Sequence, residues 1–150
     1  MARILVAEDD ADIRHLVTQL LVDDGHEVAA VGDGATAVDK LLADPPDVAI
    51  LDVMMPGLDG YSVLEHLQKA GLHSTTKIMI LSASSREQDY QRSSSLGVCK
   101  RLSKPFDPDE LLSAVNELLT LSMDEIRKRA EEERERAYLL SQLESIFSED

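Results

Sequence analysis

Four stretches of this chain put reactive side chains directly behind apolar runs. ILVA is followed by Glu8, Asp9 and Asp10, with Asp12 two residues on. VAIL is followed by Asp52, IMIL by Ser82, and the run ending at Leu102 by Ser103 and Lys104. Like charges this close repel, and the local sequence offers the acids no basic neighbour. Such a cluster either raises its own pKa values or binds a cation. Carboxylate oxygens suit Mg²⁺, which keeps several waters and works beside phosphate. A hydroxyl and an amine stand at equivalent places behind the other two runs, so they would converge on the same edge as the acids.

The segments between these groups say how they could meet. Arg3–Ala7, Glu27–Val31, Asp47–Leu51, Lys77–Leu81 and Val98–Leu102 read as strands, and ILVA, VAIL and IMIL are continuous rather than alternating apolar runs. Continuous runs suit strands buried on both faces of a parallel sheet. Helical spacing appears in Ile13, Leu16, Val17, Leu20 and Leu21, in Val38, Leu41 and Leu42, in Val63, Leu64 and Leu67, and in Leu111, Leu112, Val115, Leu118 and Leu119. Repeated strand and helix units predict an α/β doubly wound parallel sheet with helices on both faces. Ligands of such sheets bind at the carboxyl ends of the strands, where Glu8, Asp9, Asp52, Ser82 and Lys104 all fall. Ser84–Leu96 is a poorer helix, rich in Ser, and is expected to be the least stable one. Asp10 and Asp12 sit where the first helix begins, which favours a structural role for both. His15, His26, His66 and His73 have no partner that suggests catalysis.

The net charge of −14 and pI of about 4.5 argue against nucleic acid as a direct partner, since phosphates would be repelled. Cys99 is the only cysteine, so neither an internal disulfide nor a Cys/His zinc site is available. No apolar run reaches the length of a membrane span, so membrane insertion is not expected and a cytoplasmic location is the default.

Together, ILVAEDD, the LDVMMPGLDG block, the Ser82-Ala83 pair and Lys104-Pro105 resemble the receiver domain of bacterial two-component response regulators, over roughly residues 1 to 120. The resemblance implies a flavodoxin-like five-stranded sheet in the order 2-1-3-4-5. It implies that Asp52 takes a phosphoryl group from a phosphohistidine on a sensor kinase or phosphotransfer protein. Mg²⁺ would be held by Glu8, Asp9, Asp52 and the backbone carbonyl of Met54. Lys104 and Ser82 would contact the phosphoryl oxygens, and the Lys104–Pro105 peptide would be cis. The chemistry agrees: carboxylates do form covalent phospho-intermediates, and phosphoryl transfer needs mainly positioning and charge neutralisation. Such a domain is a signalling phosphoacceptor rather than an enzyme with turnover, with slow autodephosphorylation at most.

One position departs from the family pattern. Arg101 stands three residues before Lys104, where receivers usually carry Tyr, Phe or His. A guanidinium is costly to bury unpaired, so Arg101 is expected to stay exposed and the aromatic readout to be missing or altered. Two other functions compete. A metal-dependent phosphohydrolase would usually carry an acid two residues after its nucleophile, and Met54 stands there instead. A pseudo-receiver that binds without phosphate is favoured slightly by Arg101 and opposed by the complete acid, Ser and Lys set.

Residues 121–150 differ in texture: highly charged, without Gly or Pro. They read as one helix, a possible continuation of the helix before it. Leu119, Met123, Ile126 and Ala130, then Ala137, Leu140, Leu143 and Ile146 or Phe147, step by three or four, and Glu133 interrupts the stripe. A short coiled coil giving a homodimer, or a connector element, is expected, because isolated charged helices are marginal in water. The alternatives are a solvated helix and one folded back on its own domain.

Overall fold

The computed structural model describes residues 2–71, 75–82 and 96–147. Five parallel strands, β1 (Arg3–Ala7), β2 (Glu27–Val31), β3 (Val48–Asp52), β4 (Lys77–Ser82) and β5 (Val98–Ser103), form one sheet in the order β2-β1-β3-β4-β5. The described helices are α1 (Ala11–Asp23), α2 (Gly34–Ala43), α3 (Gly60–Lys69), α4 (Pro108–Thr120) and α5 (Met123–Phe147). This is the doubly wound, flavodoxin-like architecture expected. The segment expected to form the weakest helix lies, except for Leu96, outside the described residues.

The two faces of the sheet are sorted by strand parity. Leu5, Ala7, Ala49, Leu51, Ile78 and Ile80 face one way and pack with Leu41 of α2 and Leu64 and Leu67 of α3. Ile4, Val6, Val48, Ile50, Met79 and Leu81 face the other way, against Val17 and Leu21 of α1 and Leu111, Val115 and Leu118 of α4. Every residue of β3 is buried, which is why its sequence shows no alternation. Each fully buried Leu or Ile contributes about 1.5–3 kcal/mol, so the central strands are held firmly, and so are the groups at their ends.

Aspartate side chains cap the first three helices. Asp10 caps α1 by accepting from the Asp12 and Ile13 amides at 2.9 and 3.2 Å. Asp33 caps α2 through the Thr36 amide at 2.7 Å, and Asp59 caps α3 through the Ser62 amide at 2.8 Å. A side-chain cap of this kind contributes about 1 kcal/mol.

The last helix does not continue α4. Leu121 turns to an extended conformation, φ −92° and ψ 143°, and ends it. Ser122 then opens α5: its Oγ accepts from the Glu125 amide at 3.1 Å and lies 3.2 Å from the Glu125 carboxylate. Periodicity alone could not register this break, because the Ser-x-x-Glu capping pattern interrupts the helix without disturbing the apolar spacing. The first turn of α5 packs on the domain through buried Ile126, with Leu121 and Met123 beside it. Among the described residues, no helix is long and apolar enough to cross a membrane.

Candidate functional site

Asp52 and Ser82 are the last residues of β3 and β4, one step further into the sheet than the sequence suggested. The ladder explains this: the Val53 amide still donates to the Leu81 carbonyl at 3.1 Å, so pairing persists past the apolar run. Glu8 follows β1, and its amide donates to the Val31 carbonyl at 3.1 Å. Lys104 follows β5, and its amide donates to the Ser82 carbonyl at 2.9 Å. Four strand ends therefore deliver Glu8, Asp52, Ser82 and Lys104 to one edge.

There the side chains of Glu8, Asp52 and Lys104 meet. The Lys104 ammonium donates to Asp52 Oδ2 at 2.9 Å and to Glu8 Oε2 at 3.1 Å. It is the basic neighbour that the acids lack locally, brought from 96 residues away. The other Asp52 oxygen accepts from the Met54 amide at 3.1 Å, and Glu8 Oε1 accepts from the Asp10 amide at 3.2 Å. Glu8 is 1% exposed, Asp52 3% and Ser82 4%, whereas Asp9 is open to solvent. Burial carries the Glu8 carboxyl up to about 7, and its hydrogen bond with Asp52 adds to this, while Lys104 pulls the other way. Burial would lower the Lys104 amine, but its bonds to Asp52 and Glu8 outweigh that and hold it above its ordinary value.

Two residues that sequence reasoning passed over build this corner. Gly60 starts α3 against the end of β3, with its amide donating to Val53 O at 3.1 Å. A Cβ at that position would sit 2.6 Å from the Asp52 carbonyl oxygen, so only glycine permits the approach. Arg14, in α1, donates through Nη1 to the carbonyls of Glu8 at 2.8 Å and Asp9 at 3.4 Å, bracing the acidic loop from behind. Its spacing of five and six residues from those acids was the only sequence signal.

The acid set fits a hard divalent cation. One oxygen each from Glu8, Asp9 and Asp52 lies within 4.8 Å of the others. Bonds of 2.0–2.1 Å in an octahedron put opposite ligands about 4.2 Å apart, so a small inward movement would close the set. Asp9, exposed, leaves the outer side for water or an incoming anion. Met54 is itself largely exposed.

The remaining expectations sort as follows. Lys104–Pro105 is cis. Arg101 is half-buried rather than exposed. It lies in β5 beside Ile80 of β4, and a long side chain can bury its stem while its head stays at the surface. Asp10 is a helix cap. His26 lies against the first residues of the chain, its Nδ1 accepting from the Ala2 amide at 3.3 Å and its Nε2 lying 3.6 Å from Asp24.

Comparison with known proteins gives a consistent result. Residues 4–116 match the family model described as the response regulator receiver domain. The chain is 36% identical over 113 residues to the transcriptional regulatory protein DltR of Streptococcus agalactiae, covering 75% of this chain and 50% of that protein. It is 32% identical over 117 residues to the phosphate regulon transcriptional regulatory protein PhoB of Escherichia coli, covering 78% and 51%. The chain thus spans about half the length of the curated relatives it matches. The structure of the chemotaxis response regulator CheY4 of Vibrio cholerae superimposes with a TM-score of 0.74 at 30% identity, over 79% of this chain and 98% of that one.

Proposed function

The chain belongs to the response regulator receiver domain family, and from that membership we propose that it works as a phosphoacceptor switch with Asp52 as the accepting residue. The observation that carries this reading is the environment of that carboxylate: 3% exposed, held at both oxygens by Met54 and Lys104, and within 4.8 Å of two further acids.

In the reaction, an Asp52 carboxylate oxygen attacks the phosphorus of a phosphohistidine on a sensor kinase or phosphotransfer protein. The new O–P bond forms as the P–N bond breaks, and the imidazole nitrogen leaves with the bonding pair. The chain's own contribution is geometric and electrostatic. Burial strips water from the nucleophile. Lys104, already on Asp52, carries its positive charge to a phosphoryl oxygen, and the Ser82 hydroxyl donates to another. Mg²⁺ held by Glu8, Asp9, Asp52 and the Met54 carbonyl would supply further neutralisation of the phosphoryl charge. No acid follows Asp52 at the second position, which favours a lasting phosphoprotein over turnover of small substrates.

Residues 1–120 serve as the receiver in this reading, and 121–150 as the element that relays its state, by pairing with a second copy or by connecting to a further partner. The acidic surface suits a protein partner better than nucleic acid for this part of the molecule. Incubation with acetyl phosphate and Mg²⁺ should add one phosphoryl group by intact mass, and Asp52→Asn should abolish the addition. A folded wild-type chain that takes up no phosphoryl group would overturn the assignment.

A further inference from the structure

The root of α5 is fixed to the receiver. Lys77 Nζ donates to the carbonyls of Leu118 and Leu121, closing the end of α4. Glu117 accepts from Lys100 at 3.0 Å and from Arg129 at 2.6 Å, tying β5 and α5 to one carboxylate. Ile126 is buried beneath this clamp. Further along, Tyr138, Leu139, Leu140, Leu143, Ile146 and Phe147 are all exposed, Phe147 at 83%.

All of these but Tyr138 share a face. At 100° per residue, Leu139, Leu140, Leu143, Ile146 and Phe147 fall within an arc of about 120°. The centre of that arc is about 100° around the helix from Ile126, so the surface that anchors α5 to its own domain is not the surface left bare. Five large side chains, each exposing roughly 100 Å², make a patch of about 500 Å². That lies near the upper end of what monomeric proteins expose. Two such patches together approach the lower bound for a specific interface.

We propose that the last three turns of α5, Tyr138–Phe147, pair antiparallel with the same segment of a second copy. The proposal rests on α5 being the relay element, and gives that element a partner, a place and a direction. Charge decides the direction. Residues 131–136 read EEERER, four acids and two bases. A parallel pair would set these segments side by side at 8–10 Å, about one Debye length, with each Glu beside its own copy. An antiparallel pair centred on the patch separates them by about 27 Å. It also brings Arg136, exposed and two turns before Leu143, to within about a turn of the partner's C-terminal end. That last turn carries Glu144 and no basic residue, and a helix C-terminus favours a cation. The contact is self-complementary and closes as a dimer. Its small area places it among weak, transient contacts, so pairing responds to concentration.

Sedimentation equilibrium of the full chain up to about 500 μM tests the pairing. Electron-spin distance measurement on Lys128→Cys, spin-labelled in a Cys99→Ala background, tests the direction. The expected result is a monomer–dimer equilibrium with a label separation of about 45 Å. Leu140→Glu with Leu143→Glu should remove the dimer and leave the urea midpoint of the monomer unchanged, because both side chains are exposed. A chain that stays monomeric throughout, a dimer that survives the double substitution, or a separation under about 25 Å would each overturn the proposal. Acetyl phosphate labelling of the wild type reports separately on Asp52, so failure of one reading is distinguishable from failure of the other.

Discussion

Replacing Glu8 by Gln should stabilise the metal-free protein, by an amount that grows with pH. The Glu8 carboxyl moves from an ordinary value of 4.5 to about 7 on folding, because burial and Asp52 both disfavour its charge. The folded chain therefore keeps this proton to higher pH than the unfolded chain does. Stability from this residue is complete below about pH 4.5 and is lost as the pH rises through 7, by about 3 kcal/mol in all. Glutamine keeps an oxygen that can accept from Lys104 and has no charge to desolvate. At pH 5.5 most of the wild-type loss is still to come, and Glu8→Gln should be ahead by about 1 kcal/mol; by pH 8.5 the lead should reach about 3 kcal/mol. With an ordinary urea sensitivity of about 1–3 kcal/mol per molar, the midpoint difference should widen by about 1 M. The assay is urea unfolding followed by circular dichroism in EDTA at several pH values. Millimolar Mg²⁺ should then narrow the gap by stabilising the wild type, which has the complete acid set. A gap independent of pH, or a variant less stable than wild type at pH 8.5, would refute the reasoning.

Two further substitutions test how the corner is built. Gly60→Ala forces a methyl against the Asp52 carbonyl and should cost about 1–3 kcal/mol in urea unfolding while slowing phosphoryl uptake from acetyl phosphate, since the strand end must shift. Arg14→Ala removes the donor to the Glu8 and Asp9 carbonyls and should weaken Mg²⁺ binding about tenfold by calorimetry, a loss typical of groups that orient metal ligands. An unchanged affinity would leave Arg14 with no part in positioning the acids.

Much of the molecule is legible locally because local rules decide it. A strand buried on both faces must be apolar throughout, so ILVA, VAIL and IMIL mark the centre of the sheet without any tertiary information. Parallel strands all end at the same edge, so the residue after each run is a candidate for the site, and the acids, Ser82 and Lys104 could be gathered by that rule. Asp10 could be separated from Glu8 and Asp9 because a helix start needs a cap. Bracing from a distance left a weaker trace. Arg14 reaches back to two carbonyls, and Gly60 is required by a backbone from another element; neither constraint leaves a periodic mark.

The sequence by itself thus determined the sheet, its two buried faces and the roster of groups at its edge, because these follow from periodicity and chain direction. Only the tertiary structure decided how those groups behave. Lys104 bridges Glu8 and Asp52 across most of the chain, and Glu8 holds its proton toward neutral pH because it is desolvated. The final helix restarts at Ser122 and turns its apolar end away from its own domain. Each of these depends on distances between residues remote in sequence, and electrostatic energy and burial are set by those distances rather than by residue order.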